Sequence, residues 1–113
     1  MAFLGGGIGA SLRYLVSLII KAPVGTLVVN ILGCLITGLF LSDKLSFFNE
    51  ALKVSNSITK ILIFTGICGG LTTFSSFTVD SYQLINSDQM LHALAYTGLS
   101  ILLGFVAFYV GYK

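Results

Sequence analysis

Four apolar stretches, joined by turns of a few residues and one longer polar connection, account for almost the whole chain: Ala2 to Ile20, Val24 to Ser42, Ile58 to Ile85 and Leu91 to Tyr112. A helix needs about 20 predominantly apolar residues to cross the hydrocarbon core, and each stretch is of that order. The expected fold class is an all-α integral membrane protein, with four transmembrane helices forming one domain over residues 1–113. Composition agrees, since 113 residues that are 56% hydrophobic and 9% charged leave almost nothing for a soluble domain. The opening Met-Ala-Phe-Leu-Gly-Gly-Gly has neither a basic n-region nor a convincing cleavage site. The first stretch is therefore expected to stay as a helix.

Charge and cysteine usage narrow the function classes. A net charge of +2 from scattered basic residues does not suit a nucleic-acid partner. Cys34 and Cys68 lie inside spans without CxxC spacing or clustered histidines, which argues against a disulfide or a zinc site. No Asn-x-Ser/Thr acceptor occurs, in keeping with a bacterial inner membrane, and no catalytic constellation suggests an enzyme. With the amino terminus inside, Lys44, Lys53, Lys60 and Lys113 face Lys21 and Arg13 across the membrane. That bias is slight, so the chain can insert in both orientations, which permits an antiparallel homodimer. Four thin helices are also too few to enclose a pathway alone.

Small and polar residues recur at helical spacing. In the first span Gly5 and Gly9, with Gly6 and Ala10 one residue on, suit close helix packing. Arg13, costly inside a span, either snorkels to the interface, lines an electropositive vestibule or anchors a partner helix. In the second, Thr26, Asn30, Gly33 and Thr37 share one face. Asn30 is either interhelical glue or a carboxamide donor for an anion. Tyr96, Ser100 and Gly104 form a similar stripe in the fourth. The connection from Asp43 to Ser57 is read as solvated and carries no chemistry.

The third stretch breaks the pattern. Its 28 residues would make a straight helix of about 42 Å against a core of about 30 Å. Within it, Gly69-Gly70-Leu71-Thr72-Thr73-Phe74-Ser75-Ser76-Phe77-Thr78 sets two glycines and five hydroxyls among apolar neighbours. A break of this kind is tolerated in a membrane only when buried in protein or lining a polar cavity. Gly69-Gly70 is where the interruption is expected, because glycine accommodates unusual backbone geometry.

The donors available within the spans, Thr26, Asn30, Ser76, Tyr96 and Ser100 among them, are neutral and suit a small, strongly hydrated anion. Asp80, expected near the end of the third segment, is the one acidic exception. Phe74 and Phe77, at i and i+3, either pack or present their positively polarised ring edges to an anion. Carbonyls freed by the break are ligands for a cation.

Gly9-Ala10 to Arg13-Tyr14, Gly25 through Gly33 around Asn30, and Gly-Gly-Leu-Thr-Thr-Phe-Ser-Ser-Phe at 69–77 resemble, in that order, the motifs of the Fluc (CrcB) fluoride channels. The resemblance covers essentially the whole chain. It implies a dual-topology, antiparallel homodimer with two fluoride pores and a structural Na+ at its centre. Phe74 and Phe77 would be the pore phenylalanines and Asn30 a pore-lining amide. Gly69 and Thr72 would give backbone carbonyls to sodium, while Tyr96 and Ser100 continue a polar track. Gly104 departs from relatives that place a serine there. A small multidrug exporter of similar length would need a carboxylate in its first helix, which this chain lacks. A purely structural membrane subunit would leave the hydroxyl-rich break unexplained. A heterodimer with a paralogue is the alternative to self-association.

Overall fold

The computed structural model describes residues 1–42, 44, 50–51 and 56–113, so most of the expected polar connection lies outside the described residues. Those described form helices joined by turns and one extended break, without a strand. Helices α1 (Ala2–Ile19) and α2 (Val24–Leu41) match the first two stretches, and α7 (Met90–Tyr112) matches the fourth. The third is composite: α3 (Asn56–Lys60), α4 (Ile61–Cys68, wound as wider π turns), α5 (Gly69–Leu71) and α6 (Phe74–Asn86). Among the described residues, four helical units, with the composite one running Ser57–Asn86, are long and apolar enough to cross a membrane.

Exposure runs opposite to that of a water-soluble protein. Phe3 is 90% exposed and Leu91 78%, and large apolar side chains stand outward along all four units. Such side chains are at home only against lipid or another apolar surface. The bundle is two helices thick, with extents of 53 × 28 × 20 Å, and its long axis exceeds a core of about 30 Å.

Two seams hold it together, both where backbones approach closely. α1 packs along α4 and α5, and α2 along α7. In the first seam a Cβ on Gly66 would lie 2.7 Å from Gly5 Cα, and one on Gly9 would lie 2.7 Å from Leu71 N. In the second, a Cβ on Gly38 would sit 2.9 Å from Tyr112 N. Hydrogen is the only side chain that fits these positions, as small-xxx-small packing requires.

The interruption falls later than expected. Gly69 keeps helical angles, whereas the chain extends at Thr72 (φ −77°, ψ 156°) and Thr73 (φ −154°, ψ 118°). Both conformations are ordinary extended backbone that β-branched residues favour, so the break needs no glycine. Gly70 instead serves the first seam, where a Cβ would lie 3.0 Å from Ala10 N. Gly69 faces open space.

Candidate functional site

The break removes four helical hydrogen bonds, those of the Thr73, Phe74, Ser75 and Ser76 N–H groups, and side chains take over two of them. In an unbroken helix the Thr73 N–H would donate to the Gly69 carbonyl. It donates instead to Asn30 Oδ1 at 2.8 Å, while Asn30 Nδ2 donates back to the Thr73 carbonyl at 3.2 Å. The Ser76 N–H, which would reach the Thr72 carbonyl, goes to Thr73 Oγ1 at 3.1 Å. That bond makes Thr73 the N-cap of α6, a role for which threonine is well suited. The carbonyls of Gly69, Gly70, Leu71 and Thr72 thereby lose their helical donors. The helix end at Leu71 and the helix start at Phe74 also bring a negative and a positive dipole end together at mid-span.

These groups border an open groove of about 610 Å³. Asn30, Gly69, Thr72, Phe74, Phe77 and Ser100 all line it. The Phe74 and Phe77 rings stand 5.6 Å apart between centroids. Phe74 is 79% exposed, so its ring projects from the chain rather than into a core. Ser100 Oγ is withdrawn from the surface and has no hydrogen-bond partner among the described residues. A buried hydroxyl in that condition is a donor without an acceptor.

Other residues singled out from sequence lie around this groove rather than in it. Ser76 Oγ accepts from Thr73 Oγ1 at 3.2 Å, so its hydroxyl joins the α6 cap. Tyr96 is buried, its ring centroid 5.3 Å from that of Phe77. Thr26, also buried, stands near the Tyr96 hydroxyl. Arg13 is half-buried on α1, away from the groove lining.

Asp80, in the last third of the composite span as expected, is 8% exposed and accepts from the Tyr96 hydroxyl at 3.2 Å. It also borders a second cavity of about 200 Å³ with Pro23, Gln83 and Ser87. Asp80, Tyr96, Phe77 and Phe74 thus form a row from that cavity to the groove. Asp80 being the one acid within a span was the available signal; its pairing with Tyr96 depends on how α6 packs against α7. Cys34, set aside as a disulfide or zinc candidate, is a free thiol on the groove wall.

Together these features define a multi-pass α-helical membrane protein with an interrupted span and a groove of neutral donors, freed carbonyls and aromatic rings. The family model described as CrcB-like protein, Camphor Resistance (CrcB), matches residues 1–112, and the chain belongs to that family. It is 41% identical over 114 residues to the fluoride-specific ion channel FluC of Flavobacterium psychrophilum, covering 96% of this chain and 88% of that one. The FluC of Aquifex aeolicus is 38% identical over 118 residues, at 96% and 89% coverage. FluC 1 of a Staphylococcus aureus strain is 37% identical over 114 residues, at 98% and 90%.

Proposed function

We propose that this chain forms a fluoride-selective channel that lets cytoplasmic fluoride leave the cell passively and so confers fluoride resistance. The observation that carries this reading is the mid-span break clamped by Asn30, with both phenylalanine rings and an unpartnered serine hydroxyl on one groove, in a family whose relatives are named fluoride-specific channels.

Fluoride holds its water tightly, so a pore must replace that shell step by step without trapping the ion. Neutral hydroxyl and amide donors, with the polarised edges of Phe74 and Phe77, offer attraction short of a full charge. The start of α6 adds the positive end of a helix dipole. Tyr96, with Thr26 beside it, extends the polar row towards Asp80, to which its hydroxyl donates. Arg13 is assigned to a vestibule or an anchor.

The working unit is an antiparallel homodimer in the lipid bilayer of a bacterial cell membrane, with two pores. The groove is open along one side, as expected of a wall that a second copy completes. Na+ is the proposed structural ion at the dimer centre. The Gly69 and Thr72 carbonyls fit it, being hard oxygen ligands that unwound backbone frees within a membrane. It would balance the negative helix end at Leu71.

Purified chain reconstituted alone into fluoride-loaded vesicles tests this. Release down the gradient, building a voltage without nucleotide, is the expected result. Equal chloride permeability or dependence on a proton gradient would overturn it. Transport appearing only after addition of a paralogous chain would replace the homodimer with a heterodimer.

A further inference from the structure

The stripe Tyr96, Ser100, Gly104 on α7 loses its side chain at the third position, one turn beyond the unpartnered Ser100 hydroxyl. That position is not empty. A Cβ built on Gly104 would lie 3.5 Å from Cys34 Sγ, so the thiol from α2 stands where a residue at 104 would project. Cys34 lines the same groove as Ser100, is free, and is only partly buried. Thr37, one turn further along α2, lines it as well.

We propose that the Cys34 thiol is the step of the anion track that follows Ser100, donating its S–H to a passing fluoride where Gly104 offers no side chain. This rests on the channel reading. A thiol is a weaker donor than a hydroxyl, which suits a transit position: it eases the step between Ser100 and Thr37 without holding the ion. The glycine and the cysteine then form a complementary pair, with α7 giving up its side chain and α2 filling the space with a donor.

The test is fluoride efflux from vesicles containing the purified, monodisperse chain. Cys34→Ala should slow efflux about fivefold, the rate equivalent of one neutral hydrogen bond, while Cys34→Ser should match or exceed the wild type. Because the 3.5 Å spacing leaves room for a small side chain at 104, Gly104→Ser should restore the Cys34→Ala variant. Gly104→Ala in that background adds volume without a donor and should not. If Cys34→Ala does not fold, Cys34→Val against Cys34→Ser makes the same comparison at filled volume.

Unchanged efflux in Cys34→Ala or Cys34→Val would overturn the inference. So would rescue by Gly104→Ala as complete as rescue by Gly104→Ser, which would make the thiol a packing group. Wild-type vesicles that hold their fluoride would overturn the channel reading together with the inference, whereas loss confined to the variants cannot arise from a failure of that reading.

Discussion

The α1 seam and the break after Leu71 lie on neighbouring parts of the same composite span, yet they are held by opposite means. At the seam, backbone meets backbone across Gly5 and Gly66, and no side chain intervenes. At the break, a carboxamide from α2 replaces the helical bonds of Thr73. Between helices in lipid there is no hydrophobic drive, so association rests on close packing or on interhelical hydrogen bonds. The seam uses the first, backbone against backbone. The break uses the second, leaving the carbonyls at the end of α5 and the facing start of α6 without helical partners. A groove that must be polar can be held in place by a neighbouring seam that has no polar side chain to spare.

The largest effect should come from violating the seam. Gly9→Leu would force a side chain into the Leu71 and Gly70 backbone; overpacking typically costs about 1–3 kcal/mol, and contact with backbone rather than a flexible side chain puts this at the upper end. Loss of monodisperse protein on size-exclusion chromatography is the expected outcome. A well-folded Gly9→Leu would show that the seam is looser than its geometry.

Next is Asn30→Asp, which keeps the acceptor for the Thr73 N–H but sets a carboxylate oxygen against the Thr73 carbonyl, where Nδ2 now donates. Fluoride efflux should fall more than about tenfold, and stability by about 1–3 kcal/mol, the cost of an unmade buried hydrogen bond. Insertion, followed by membrane fractionation, should survive. Undiminished flux would make Asn30 glue alone.

Replacing either Phe74 or Phe77 with isoleucine keeps apolar bulk and removes the polarised edge, so flux should drop about tenfold while thermal stability changes little. The two should differ in stability: Phe77 also loses its ring pair with Tyr96, worth about 0.5–1.5 kcal/mol, whereas exposed Phe74 does not contact that ring. Melting curves that move equally for both would contradict this distinction.

The smallest effect is expected at Thr72→Ser. The hydroxyl bond to the Cys68 carbonyl, 2.9 Å in the wild type, can be retained, and the proposed sodium ligand is the main chain. Only the methyl beside Gly33 is lost, about 1 kcal/mol at most. Flux and dimer should persist, with sodium still detectable by ion substitution. Loss of the ion in this variant would move the ligand from backbone to side chain.

Span number, span limits and the existence of a break were legible in the residues, because apolar length against bilayer thickness is a one-dimensional constraint that the chain carries locally. So was the roster of neutral donors, since a polar side chain in a span is exceptional wherever it points. What the residues did not decide was which donor meets which acceptor. Asn30 and Thr73 are 43 positions apart, and Gly69-Gly70 drew attention as the weak point when the seam, a property of α1 crossing α4 and α5, had already claimed Gly70 for packing. That Asp80 accepts from Tyr96 was decided by the packing of α6 on α7. Cys34 gained meaning only beside Gly104. Local chemistry depends on near neighbours in sequence and is therefore written there; hydrogen-bond pairing and close backbone approach depend on the angle and register at which helices cross, which the tertiary structure alone decides.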